Sequence, residues 1–291
     1  MINEEQYYQE AFSRNIGLLT VEQQKKMRQT TLAIVGLGGV GGIYAASFAR
    51  LGFGGFRIAD MDAFEVVNIN RQFGATVETF GKPKTEVLAQ VIKSINPFAR
   101  VETLPEGINE GNVRSFVTGV DFVIDGLDFF NIEARRLLFR EARAAGVFIL
   151  TAGPVGFGSS MLVFDPQGMS FDDYFDIHDK QSRQLQLVHF GFGLTPSLLQ
   201  RAYFSPEMVD WNAQRGPSLV TGTLACANLV TTEVLRILRG EKPQVAPASI
   251  HFDPYLRRCK KTWVPWGNKN PLQRIKLAIG LRQLRAAKVL L

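Results

Sequence analysis

Thr31-Leu32-Ala33-Ile34-Val35-Gly36-Leu37-Gly38-Gly39-Val40-Gly41-Gly42 is the stretch that decides the fold. Its first half, Thr31 to Gly36, is a short β-branched run ending in glycine and reads as a buried strand. Its second half fits G-x-G-x-x-G, and Val40 to Leu51 continues as a helix of small residues. Between a strand and a helix, such glycines let the backbone approach phosphates, and the helix N-terminus favours negative charge. Asp60 ends the next strand, Gly55 to Asp60, about 20 residues on, where a carboxylate is placed to accept from ribose hydroxyls. The motif alone does not separate NAD from ATP. A glycine-rich tight turn without ligand is the plain alternative.

Further along, Lys82 to Ile95 has helical periodicity, with Val87, Leu88, Val91, Ile92 and Ile95 on one side, and stops before Pro97. Arg100 to Leu104, Val120 to Asp125 and Val147 to Thr151 read as strands, and Ile132 to Ala145 as a charged amphipathic helix. Strands alternating with helices predict an α/β fold, a Rossmann-like, doubly wound, mainly parallel sheet. The rhythm changes after Pro154. Ser159 to Phe164 is another strand, and residues 166 to 217 read as irregular, a length of connection that is usually functional. Leu219 to Leu238 is one long helix, Ser249 to Asp253 and Arg257 to Val264 a hairpin, and Pro271 to Leu290 a basic amphipathic helix. The division is a nucleotide-binding core over 1–165, a substrate-covering crossover over 166–217, and C-terminal elements over 218–291 that complete the same domain.

Composition narrows the class. With 46% apolar residues, a 291-residue chain can bury a sizeable core. The polar start MINEEQYYQE lacks the basic start and apolar run of a signal peptide, and no run approaches the roughly 20 apolar residues of a spanning helix. A cytoplasmic protein with no membrane span is expected; its two cysteines, Cys226 and Cys259, could form one disulfide, but in that setting two lone thiols are the expectation. The net charge of +6 is uneven: ten of the 33 Lys and Arg follow Asp253, the last acid, and the other 23 face 27 acids, leaving 1–253 at −4. A basic tail of this kind is either a solvated helix face or a patch for an anionic partner, nucleic acid included.

Other residues gather at the same strand ends. Asn68-Ile69-Asn70-Arg71-Gln72 follows the second strand, Gly81-Lys82-Pro83-Lys84-Thr85-Glu86 opens the next helix, and Asp125-Gly126-Leu127-Asp128 ends the fourth strand. Doubly wound sheets bring such ends to one crevice. Cations there suit a triphosphate, and a carboxylate suits Mg²⁺. Hydride transfer needs neither. In this order and spacing, VGLGGVGG, DMDAFEVVNINRQ, GKPKTE and DGLD resemble the ThiF/MoeB/ubiquitin-activating (HesA/MoeB/ThiF) superfamily, and Phe12-Ser13-Arg14-Asn15 is similar to its N-terminal aromatic-Ser-Arg-Gln segment.

The resemblance implies an ATP- and Mg²⁺-dependent adenylyltransferase acting on a carboxylate, the C-terminus of a ubiquitin-like or sulfur-carrier protein being the first expectation. A small-molecule, peptide or RNA-attached carboxylate is the alternative. It implies that Gly36, Gly38 and Gly41 face the nucleotide, Asp60 its ribose, and Asn68 and Arg71 its phosphates, with Gln72 nearby. Lys84 clamps phosphates, Asp128 holds Mg²⁺, and Arg14 reaches the other subunit's site in a homodimer. Each has a plainer reading: a surface ion pair for Arg71, a solvent cation for Lys84, a helix cap for Asp128, an exposed or intrasubunit role for Arg14.

The chain also departs from the family. Two cysteines cannot make the two C-x-x-C pairs of a structural zinc site, so no zinc is expected. Residues 166–217 contain no cysteine to take over an activated acyl group. Phe129 and Phe130 stand between Asp128 and Asn131, so the roles the family gives to Asn and Arg after its aspartate do not transfer directly to Asn131 and Arg135. An NAD-dependent oxidoreductase and a non-catalytic nucleotide-binding protein remain the competing classes.

Overall fold

The computed structural model describes residues 2–286. It holds one eight-stranded sheet in the order β3-β2-β1-β4-β5-β6-β7-β8. β1 (Thr31–Val35), β2 (Gly55–Ala59), β3 (Arg100–Leu104), β4 (Phe122–Asp125) and β5 (Phe148–Val155) run parallel. β6 (Gly158–Phe164), β7 (Ala248–Asp253) and β8 (Arg258–Trp263) extend the sheet antiparallel. The expected strands are all present, each within a few residues of its sequence-derived bounds.

Two short helices precede the sheet, α1 (Glu4–Ala11) and α2 (Val21–Gln29). Both were absent from the sequence reading. α2 is set by a capping box, in which Thr20 and Gln23 satisfy each other's backbone N–H groups. α3 (Gly41–Leu51) and α4 (Lys84–Ile95) cover one face of the sheet together with α9 (Val220–Leu238). α5 (Val113–Val117) and α6 (Ile132–Ala144) cover the other face, joined by α7 (Phe171–Phe175) and α8 (Arg183–Leu194). α10 (Pro271–Ala286) packs on α8. The part of the basic helix expected beyond Ala286 lies outside the described residues.

Residues 166–217 are less irregular than expected. Ser170 caps α7 and Ser182 caps α8, each accepting a backbone N–H. α8 forms despite Gly191 and Gly193 because Leu187, Phe190 and Leu194 are buried in the core that α6 and α7 share. Packing of that stripe outweighs the roughly 1 kcal/mol that each helical glycine costs. No helix among the described residues is long and apolar enough to cross a membrane.

The strand order reverses between β1 and β4, so the carboxyl ends of these two strands open a crevice. β5 overshoots that edge and returns as β6, which brings Pro154 to Phe157 to the same end of the sheet.

Candidate active site

The chain leaves β1 through Gly36, whose φ of +80° is a left-handed conformation. A Cβ on Gly36 would lie 2.5 Å from the Gly126 carbonyl oxygen, and one on Gly41 would lie 1.7 Å from the Gly36 oxygen. Gly36, Gly41 and Gly126 thus let the end of β1, the start of α3 and the end of β4 touch backbone to backbone. Gly38 instead faces the Gln72 amide, its ideal Cβ position 3.6 Å from Nε2. These are the three distinct tasks that a dinucleotide-type glycine loop requires: tight turn, open approach and helix packing.

Asp60 fastens this loop. Its Oδ2 accepts from the Leu37 N–H at 2.6 Å, and its Oδ1 accepts from the Asp62 N–H at 2.8 Å. Burial raises the Asp60 carboxyl above its usual range, against the lowering effects of Lys84 and the two backbone donors. Lys84 is buried at the start of α4, with Nζ 2.8 Å from Asp62 and 3.9 Å from Asp60. Asp62, in the turn after β2, therefore pairs with the lysine.

The segment after β2 lies across the loop. Asn68 is buried and accepts from the Glu65 N–H at 2.9 Å, so it shapes the turn that presents Arg71 and Gln72. Arg71 is half-buried beside Gly39 and donates to the Val67 carbonyl at 3.0 Å and to Asn70 Oδ1 at 2.9 Å. The Asn70 amide donates to the Ser218 carbonyl at 3.0 Å, tying the lead-in to α9 to this segment. Thr223 of α9 approaches Gly39, its Cγ2 3.2 Å from that glycine's ideal Cβ position. α3 and α9 both begin without a side-chain cap, and the positive ends of both dipoles lie against the glycine loop. Ser218 and Thr223 carried no sequence signal, because their contacts join residues about 150 or more positions apart.

Asp128 lies two residues beyond Gly126 and is exposed, its Oδ1 accepting from the Phe130 N–H at 3.0 Å. A buried network holds this turn. Asp125 accepts from Arg135 Nε and from the Thr151 hydroxyl, both at 2.8 Å, and from the Leu127 N–H at 3.0 Å. Arg135 also donates to the Leu127 and Asp128 carbonyls at 2.5 and 3.1 Å, and its guanidinium lies 4.5 Å over the Phe190 ring. Arg135 is thus a positioning residue for Asp128. Asn131 is the residue at the N-cap of α6 and makes no side-chain capping bond. Phe129 packs on Phe190, centroids 5.5 Å apart, so the two inserted phenylalanines are where the crossover seats on the loop.

Arg14 does not join these residues within the chain. It is exposed in the turn Ser13–Asn15, and Asn15 donates to the carbonyl of Leu51, the last residue of α3. The glycine loop is at the other end of that 11-residue helix, about 16 Å away at 1.5 Å per residue. The thiols lie elsewhere too. Cys226 is fully buried in α9, where burial pushes its pKa up to about 12, and Cys259 is exposed on β8. No cluster of three His, Cys, Asp or Glu able to hold a metal occurs among the described residues.

The description "ThiF family" fits residues 12–272 of the chain. The tRNA threonylcarbamoyladenosine dehydratase of Haemophilus influenzae is 33% identical over 150 residues, which is 51% of this chain and 57% of the relative. The sulfur carrier protein ThiS adenylyltransferase of Escherichia coli is 30% identical over 157 residues, 53% of this chain and 62% of the relative. The chain thus spans a little over half the length of these curated relatives. Among solved structures, E. coli MccB crystallised with AMPCPP and MccA superposes with a TM-score of 0.66 at 18% identity, covering 92% of this chain and 74% of MccB. That likeness establishes a shared fold.

Proposed function

The chain belongs to the ThiF family, and from that premise we propose that it is an adenylyltransferase that joins a substrate carboxylate to AMP, with release of pyrophosphate. The observation that carries this reading is the gathering of Gly38, Arg71, Lys84 and the Asp128 turn at the ends of β1, β2 and β4, under the first turn of α9.

In this reading the triphosphate lies along the open side of Gly38, with the α3 N-terminus behind it. Asp60 keeps lone pairs for ribose hydroxyls besides those given to the loop. The Gln72 Oε1 atom is buried without a partner among the described residues, and it suits a donor from the nucleotide. Asp128 would hold Mg²⁺, because its exposed carboxylate is a hard oxygen donor of the kind this ion takes. When bound, Mg²⁺ supplies neutralisation of phosphate charge. A carboxylate oxygen attacks the α-phosphorus, the bond to the bridging oxygen breaks, and pyrophosphate leaves with the electron pair. The nucleophile is already ionised, so no general base is needed. Arg71 and Lys84 offset charge on the α-phosphate and on the departing group, and catalysis is positioning plus electrostatics. Lys84 would exchange its Asp62 partner for phosphate.

With Cys226 sealed and no cysteine in the crossover, the acyl-adenylate passes to a nucleophile on the substrate or on a partner. The relative named as a tRNA threonylcarbamoyladenosine dehydratase favours an RNA-attached carboxylate. The relative named as a ThiS adenylyltransferase supports the C-terminus of a carrier protein as the second reading. Pyrophosphate exchange into ATP tests the proposal, with threonylcarbamoyladenosine-bearing tRNA and a Gly-Gly-ended carrier as separate substrates. Asp128→Asn and Lys84→Met should each lower exchange by about 10²–10³-fold while the fold is kept. Calorimetry that found tight NAD⁺ binding and no ATP binding would reject it.

A further inference from the structure

α10 has two apolar stripes, and the fold uses one. Gln273, Leu277, Gly280 and Leu284 are buried. Leu277 and Leu284 pack with Val188 of α8, and the Gln273 amide donates to the Phe192 carbonyl at 3.2 Å. A Cβ on Gly280 would lie 2.2 Å from the Phe192 ring, so the helix is seated closely. On the opposite side, Leu272, Ile275 and Ile279 stand 68%, 56% and 48% exposed at a spacing that aligns them on one stripe. Arg274, Arg282 and Arg285 are exposed beside it, and none of them enters an ion pair among the described residues. The strand and turn leading into the helix carry Trp263 and Trp266, 66% and 65% exposed.

The surroundings select the occupant. From Pro254 onward the sequence has ten Lys or Arg and no acid. A second copy of this face would meet it with like charge. RNA would satisfy the arginines but leaves an aliphatic stripe with nothing to gain from phosphates or base edges. An anionic bilayer surface serves both: aliphatic side chains enter the headgroup–acyl boundary, tryptophans sit at the interface, and arginines keep their heads among lipid phosphates. Lys260 and Lys261 need no such role, since lysines on the exposed edge strand β8 guard it against strand pairing.

We propose that the outer face of α10, with Trp263 and Trp266, is a peripheral docking surface for anionic membranes, placing the crossover helix α8 behind it toward the bilayer. The mode is interfacial, since no described helix can span.

Co-sedimentation of the full chain with phosphatidylcholine–phosphatidylglycerol vesicles, against pure phosphatidylcholine vesicles, is the direct test. Binding to the anionic vesicles that weakens with salt is expected. Ile275→Glu with Ile279→Glu should lower the partition coefficient by about tenfold or more, as should Arg274→Gln with Arg282→Gln, with the circular dichroism and melting temperature of the wild type. If the glutamate pair fails to fold, Ile279→Ser replaces it. Brominated acyl chains should quench the wild-type tryptophan fluorescence, and less so in Trp266→Phe. Failure to bind anionic vesicles at low salt, or binding indifferent to the isoleucine substitutions, overturns the proposal. So does retention of a structured RNA, in place of vesicles, that the arginine substitutions abolish.

Discussion

His251 carries a readable charge state. It is 1% exposed on β7, its Nδ1 lies 2.7 Å from the Ser197 hydroxyl, and its Nε2 is buried without a partner among the described residues. Burial pushes its pKa from 6.5 down to about 4, and the Asp253 carboxylate on the same strand opposes this only in part. The native imidazole therefore stays neutral where the unfolded one takes up a proton. Above pH 6.5 the two states match and the residue adds no pH dependence; as pH falls from 6.5 toward 4, stability is lost. The loss is at most about 3 kcal/mol. His251→Gln should flatten this part of the profile when urea unfolding is followed between pH 7 and pH 4.5; an unchanged slope would show that the imidazole takes up its proton alike in the folded and unfolded states. The thiols make the opposite case. With Cys226 sealed and Cys259 outside the crossover, Cys226→Ser and Cys259→Ser, singly or together, should leave pyrophosphate exchange intact. Loss of exchange in a folded mutant would require a thiol in the first half-reaction.

Elements meet at the site through two kinds of contact, backbone crossing and buried charge. The crossing of β1, α3 and β4 leaves no space at Gly41, so Gly41→Ala forces the loop apart. The turn after β4 depends on charge. Asp125 and Arg135 are both nearly inaccessible, and removing the arginine strands a carboxylate in the interior. Arg135→Met should cost about 3–5 kcal/mol in stability. Asp125→Asn combined with Arg135→Met should recover part of that, because Asp125→Asn removes the stranded charge. The double mutant should still show reduced exchange, since the guanidinium donors to the Leu127 and Asp128 carbonyls, which hold the Asp128 turn, are gone. Full recovery of both stability and exchange would mean that Arg135 does not position Asp128.

At the scale of the whole molecule, the rim of the site is apolar and exposed. Val66, Val67 and Ile69 precede Arg71, and Leu219, Val220 and Leu224 line the start of α9. The bond from Asn70 to Ser218 joins the two groups into one surface. We propose that a second copy covers this surface and brings its own Arg14 to the site, since Arg14 is held at the far end of α3 from its own glycine loop. Arg14→Ala and Asp128→Ala chains should each be inactive alone. Mixed under subunit exchange, they should regain one working site, which pairs an intact Asp128 with the partner's intact Arg14. No recovery on mixing, or a monomer at assay concentration, would remove Arg14 from the reaction.

The eight strands, the long helix α9 and the glycine loop were legible in sequence, because β-branched runs, helical periodicity and glycine at a left-handed turn are local properties of the chain. That the ends of β1, β2 and β4 meet at one crevice followed from the alternation of strands and helices, which predicts a doubly wound sheet. Tertiary structure decided the rest. α8 is a helix because its apolar stripe found α6 and α7, against the preference of its two glycines. Asp62 binds Lys84, Arg135 turns inward beneath Asp128, and Ser218 and Thr223 reach the glycine loop through contacts between residues far apart in the chain. Periodicity marks which side of an element is apolar. Which polar group a side chain meets, and whether a cation such as Arg14 lies near or far from its own site, is set only when the elements pack.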